Sequence, residues 1–279
     1  MRVEEVYQQE STRALYNGLL PTEDQGDSIT VVLVRPRNPL NIGAVARAMA
    51  NFGFARLAVV APYEPHWREA RSAVEAEDVL QGARVCATLA EAVADCTLVM
   101  GTGTLTYRRP EQPVIYLPEL APLARQERER GGRMALVFGP EKHGLTREDL
   151  AHCHGMVEIP TAARQPSMNL GQAVAVCLYE LASRAFAAEP GRAAEVPEAQ
   201  EAEPGARSAE LERLAGVIEE TMVAAGYSPH AMEAANRHDL RVLLRRLRLS
   251  AADTRRMLGL FRRILWRLRP MQNAGRGQE

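Results

Sequence analysis

At 279 residues, the chain has room for one large domain or two small ones and can bury a substantial core without disulfides or metal. With 46% hydrophobic and 25% charged residues, and no stretch approaching the roughly 20 apolar residues that span a bilayer, it reads as a globular protein rather than a membrane one. A formal net charge of −1 excludes a uniformly basic polyanion binder but leaves room for a local basic surface.

Residues 1–28 read as an N-terminal extension. Val3 to Leu20 can form a short helix, and Pro21 to Ser28 is polar and turn-rich. Glu4, Glu5 and Glu10, with no hydrophobic run beside them, argue against a secretion signal and for a cytoplasmic protein. From Ile29 onward, β-branched runs alternate with helical patterns. Ile29–Val34, Leu57–Val60, Thr97–Met100, Met134–Phe138 and Met156–Ile159 read as buried strands of an α/β domain with a largely parallel sheet. Cys86, Cys96, Cys153 and Cys177 show no paired spacing and read as reduced thiols.

Three motifs lie on this framework. Arg35 to Arg47 follows the first strand, with Asn41 placed to cap a helix whose buried stripe is Val45, Ala48, Met49 and Phe52. Arg47 lies off that stripe. A helix start just past a strand's carboxyl end suits an anion or other ligand, although a capped helix bearing a surface arginine gives the same pattern. Leu136 to Leu145 places Gly139, Glu141 and Lys142 in a charged turn after a strand, where Gly139 would let a ligand approach the backbone. It is not a phosphate-binding Walker motif, since no Ser or Thr follows Lys142. Ile159 to Leu170 sets Ser167 and Asn169 at the start of a helix, as caps or as ligand contacts.

Residues 186–207 read as a linker rich in Ala, Glu and Pro. Helical periodicity returns in residues 208–279, where Leu211, Leu214, Ile218 and Met222, then Leu240, Leu243, Leu244 and Leu247, then Leu258, Phe261, Leu265 and Leu268 form three apolar stripes. A small all-α domain follows from that, with arginines crowding it from Arg241 to Arg269. His152, Cys153 and His154 are adjacent in sequence and point to different faces, so no metal site is expected. The G-x-G-x-x-G fingerprint of a nicotinamide dehydrogenase is missing.

In this order and spacing the three motifs resemble the signature of the SPOUT methyltransferases of the TrmH/SpoU family, with its TrmJ-type tRNA 2′-O-methyltransferases as the nearest subgroup. The resemblance covers residues 29–185 and extends weakly into the helical part. It implies a parallel-sheet domain with a C-terminal deep trefoil knot, a homodimer, and S-adenosylmethionine as methyl donor. Thr102, Gly103, Thr104, Gly139, Ile159, Ser167 and Met168 would hold that cofactor. Arg47 would be the central catalytic residue, helped by Asn41, Glu141, Ser167 and Asn169, with Glu141 orienting its guanidinium. A guanidinium has a pKa above ~12, so Arg47 is expected to orient the ribose or its phosphate and stabilise developing charge rather than accept a proton. Arg108, Arg109, Arg245 and Arg246 would contact RNA, unless they serve as loop ion pairs or a solvated helix face. The implied reaction is methylation of a ribose 2′-oxygen, which DNA lacks, at position thirty-two of the tRNA anticodon loop. Ribosomal RNA as substrate, or a silent RNA-binding module on the same fold, are the alternatives. Pro166 departs from the small polar residue common at its position and removes one backbone N–H.

Overall fold

The computed structural model describes residue 21 and residues 23–105, 109–185, 204–227 and 232–275. Arg108 and most of the linker lie outside these residues. Among the described residues, seven parallel strands make one sheet: β1 (Ile29–Val34), β2 (Leu57–Val60), β3 (Arg84–Cys86), β4 (Leu98–Thr102), β5 (Val114–Tyr116), β6 (Met134–Phe138) and β7 (Gly155–Glu158). Their spatial order is β3-β2-β1-β6-β4-β7-β5. β1 pairs with β2 through Val31↔Leu57 and with β6 through Val31↔Leu136, and β4 pairs with β6 through Met100↔Leu136.

Side chains alternate across the pleat, so each central strand feeds two cores. Val31, Leu33, Val59, Met100, Leu136 and Phe138 face a layer containing α1 (Pro39–Asn51), α2 (Leu117–Glu129) and α3 (Leu170–Glu180). Val32, Val34, Val60, Val99, Ala135 and Val137 face Leu89, Val93, Leu145 and Leu150 on the other side. All four cysteines are free and buried. Burial pushes the Cys96, Cys153 and Cys177 thiols up to about 12.

Three further helices follow: α4 (Ser208–Ala224), α5 (Glu233–Leu247) and α6 (Ala251–Gly275). Leu214, Ile218 and Leu244 form their shared core, with Met222, Leu240, Leu258 and Phe261 packed on it. The stripe expected on α5 needs correction. Leu243 and Leu247 are exposed, while Val242, Leu244 and Arg245 are buried. Helix α5 has two buried sides: Leu244 turns to the helical core, and the Arg245 guanidinium turns to the sheet domain, where its Nε donates to His152 O at 3.2 Å. Glu212 of α4 ties the contact together, accepting from Arg245 Nη2 and Arg241 Nε at 3.0 Å each. The backbone N–H of Ser208 adds a bond to Cys96 O at 2.8 Å. Among the described residues, no helix is long and apolar enough to cross a membrane.

Candidate active site

The carboxyl ends of three neighbouring strands, β4, β6 and β7, open onto one cavity of about 430 Å³. This is where open parallel sheets ordinarily bind ligands. Thr102, Gly103 and Thr104 come from the end of β4, Phe138 to Gly144 from the turn after β6, and Ile159 and Thr161 from beyond β7. Pro166, Ser167, Met168, Leu170 and Ala173 close it from the start of α3. All seven residues expected around the cofactor therefore line one space. Thr102 Oγ1 donates to Val137 O at 3.0 Å, so its hydroxyl hydrogen is used inside the sheet.

Gly139 has a different neighbour from the one its sequence context suggests. A Cβ there would stand 2.2 Å from Gly144 C and from Leu145 N. The space beside its Cα is filled by the returning turn of its own chain rather than by a ligand. Gly139→Ala must push backbone against backbone, and is expected to cost about 1–3 kcal/mol of stability in urea unfolding. An unchanged midpoint would show that the turn yields freely.

Helix α1 begins one residue after Asn38, whose extended backbone and side chain cap it by accepting from Leu40 N at 3.0 Å. The expected cap at Asn41 is thus corrected: Pro39 starts the helix, and Asn41 is left free for longer-range bonds. Its Nδ2 donates to Glu141 Oε1 at 2.9 Å, and its Oδ1 accepts from Asn169 Nδ2 at 3.0 Å. Asn169 also caps α3, its Oδ1 accepting from Gly171 N at 2.9 Å. A Cβ at Gly171 would meet Ala44 Cβ at 2.9 Å, so glycine there is what lets α3 lie close enough to α1 for the Asn169–Asn41 bond. Glu141 further accepts from the backbone N–H of Arg37 and Asn38 at 3.2 Å each. Partial burial pushes its carboxyl up, but the bonds from Asn41, Asn38 and Arg37 outweigh this and hold it below the usual carboxylate range.

The chain Glu141–Asn41–Asn169 therefore joins three of the expected catalytic residues, with Glu141 and Ser167 on the cavity wall. Arg47 is not part of it. It is exposed, further along α1 by about 9 Å of helix rise, and its side chain makes no hydrogen bond or ion pair with any other described residue. Glu141 holds Asn41 and the start of α1 rather than the Arg47 guanidinium. Arg245 is also corrected: it is 1% exposed and paired with Glu212, so it has no face to offer a polyanion. Arg246 and Arg109 are exposed. The sequence reading passed over Asn38, for which Asn followed by Pro at the first helical position was the available signal, and Arg35, whose guanidinium grips the buried Asp149 through two bonds of 3.1 and 2.5 Å.

A model of the SpoU rRNA Methylase family matches residues 28–179. A tRNA (cytidine/uridine-2′-O-)-methyltransferase, TrmJ of Escherichia coli K12, is 34% identical over 256 residues, covering 90% of this chain and 99% of that protein. The tRNA (cytidine/uridine/adenosine-2′-O-)-methyltransferase TrmJ of Pseudomonas aeruginosa is 42% identical over 164 residues, a match that spans 58% of this chain and 63% of that relative. Among solved structures, TrmJ of Zymomonas mobilis superposes with a TM-score of 0.71 at 32% identity, covering 84% of this chain and 98% of that one.

Proposed function

The chain belongs to the SpoU rRNA methylase family, and on that premise we propose that it transfers a methyl group from S-adenosylmethionine to a ribose 2′-oxygen of tRNA. The observation that carries this reading is the cavity at the ends of β4, β6 and β7 with the Glu141–Asn41–Asn169 chain at its edge. Its size falls in the ordinary range for cofactor pockets. Phe138, Ile159, Leu170 and Ala173 give it an apolar wall for a flat ring, and Thr104 and Ser167 give hydroxyls. Glu141 adds a carboxylate suited to a cationic sulfonium. S-adenosylmethionine, when bound, supplies the activated methyl group.

The protein's own contribution is placement and charge. Glu141 and Asn169 fix the amide plane of Asn41 from both sides, so Asn41 is held ready at the cavity edge and loses little freedom when RNA arrives. Arg47 is the one cation of α1. Its exposed guanidinium orients the ribose phosphate and stabilises negative charge developing on the 2′-oxygen. Ser167 faces the cavity beside the reacting atoms.

We further propose a homodimer in which a second copy covers α1 and α3. Leu40 on α1 is 56% exposed and Tyr179 on α3 is 60% exposed, and the two helices lie side by side. In that arrangement Arg47 of one copy serves the cavity of the other, which accounts for its separation from the cavity of its own chain. A trefoil knot in the last part of the sheet domain belongs to the same reading. Its support is the strand order, in which β6 inserts between β1 and β4, and β7 between β4 and β5. Four buried free thiols support a cytoplasmic location.

Incubation with total RNA and labelled S-adenosylmethionine, followed by nucleoside mapping of tRNA and rRNA fractions, tests the function. Label is expected in 2′-O-methylated pyrimidine nucleoside of tRNA, at position thirty-two of the anticodon loop. Label confined to rRNA would move the substrate, and label on a base or none at all would overturn the reading. A sedimentation profile of a monomer at micromolar concentration would remove the homodimer.

A further inference from the structure

Helix α6 carries a surface that the cavity does not use. Its one acidic residue is Asp253, while arginine recurs at 255, 256, 262, 263, 267 and 269. Thr254 and Leu265 are buried, and Phe261 packs on the helical core. Trp266 points elsewhere and is 57% exposed, with the Arg263 guanidinium 4.6 Å and the Arg267 guanidinium 5.6 Å from the centre of its rings. Arg256 and Arg269 have carboxylate partners in Asp253 and Glu220. Among the described residues, none pairs with Arg263 or Arg267.

Both guanidinium groups lie over this exposed indole and neither has a carboxylate partner among the described residues, so phosphates can draw them off the ring and leave its face to a flat, apolar group with negative charge on both sides. A nucleobase with its flanking phosphates has that chemistry, and base stacking on aromatic side chains with cation–π support is a general mode of single-strand binding. A protein partner would have to supply a carboxylate to each arginine as well as a flat face to the ring.

We propose that Trp266, between Arg263 and Arg267, is a stacking platform for an unpaired base of the RNA substrate, with the two arginines taking the phosphates on either side. It is a second point of contact, apart from the cavity, and rests on the reading of this chain as an RNA-modifying enzyme. It also moves the RNA-facing surface of the helical part from Arg245, which is buried, to the outer side of α6.

The test uses the full-length chain. The only other tryptophan, Trp67, is 1% exposed, so a change in emission on RNA addition reports Trp266. Quenching is expected with an eight-nucleotide oligouridylate and with tRNA, and not with a blunt RNA duplex. Trp266→Ala is expected to raise KM for tRNA roughly tenfold with kcat within about twofold, and Trp266→Phe to restore most of the affinity. Arg263→Glu with Arg267→Glu is expected to lower the slope of log affinity against log salt by about 1.4. Unchanged emission at saturating tRNA, with KM for Trp266→Ala within about twofold, would overturn the platform. So would a Trp266→Ala variant that changes oligomeric state and leaves RNA affinity intact, since the surface would then meet protein. If the unaltered chain methylates no RNA while Trp266→Ala still weakens tRNA binding, the platform stands and the proposed function falls.

Discussion

Arg47→Ala is expected to lower the single-turnover rate of methyl transfer by about 10²–10³-fold, the usual loss when one preorganised donor to a developing oxyanion is removed. The fold should not notice. Arg47 is exposed and has no partner among the other described residues, so its removal should change unfolding free energy by no more than about 0.5 kcal/mol. Arg47→Lys keeps the charge but loses the planar fork, and should fall between the two. Because Arg47 is proposed to place and stabilise charge rather than to move a proton, the pH dependence of the residual rate should keep the shape of the unaltered enzyme's. A rate unchanged in both variants would end any catalytic role for Arg47. The proposed exchange between copies adds a separate readout. Mixing Arg47→Ala with Ser167→Ala chains should restore part of the activity that each lacks alone, since a mixed dimer contains one intact site.

The second large effect lies far from the cavity, where α4 and α5 meet the sheet domain. Arg245→Ala is expected to destabilise the protein by about 3 kcal/mol, the low end of the cost of breaking a buried ion pair, because Glu212 keeps its bond from Arg241. Replacing both members by apolar residues, Arg245→Met with Glu212→Leu, should cost less than Arg245→Ala alone, and the reverse order in urea unfolding would refute the account. The pair also sets an acid limit. Burial pushes the Glu212 carboxyl up, but His152 first, then Arg245 and Arg241, pull it down to about 2. The His152 ring nitrogen Nδ1 stands 3.3 Å from Glu212 Oε1. An ordinary Glu titrates near 4.5, so the folded state holds its proton less tightly than the unfolded chain. The stabilisation, on the order of 3 kcal/mol at 1.36 kcal/mol per pKa unit, is complete above about pH 5 and is lost as pH falls toward 2. Stability measured at pH 7 and pH 3 should differ less in Glu212→Gln than in the unaltered chain.

What was legible in the sequence was what depends on near neighbours. β1, β2 and β6 occupy the ranges their β-branched runs mark, because a strand buried on both faces needs apolar residues throughout. β3 and β5 were missed. Each is three residues long, and exposed Val85 and Tyr116 leave no continuous apolar run to see. The α5 stripe misled because arginine is ordinarily assigned to the water side, and nothing near Arg245 in sequence announces Glu212, thirty-three residues away, as its partner. The site divides in the same way. The start of α3 at residue 170 was visible in capping chemistry and that of α1 was placed three residues late, at Asn41 instead of Asn38, whereas the lining of the cavity came only through family resemblance. The bond between Asn41 and Glu141 crosses 100 residues of sequence, and no local pattern encodes it.

That separation has a consequence during synthesis. The Asn169–Asn41 bond spans 128 residues, so the first half of the hydrogen-bonded chain leaves the ribosome long before the second. At roughly 5–20 residues per second, Asn41 waits about 6–25 s for its partner to be made. Throughout that interval the nascent polypeptide can present the start of α1 and the sheet's early strands, yet it holds no finished catalytic edge. Competence thus arrives with one of the last segments of the sheet domain to be translated.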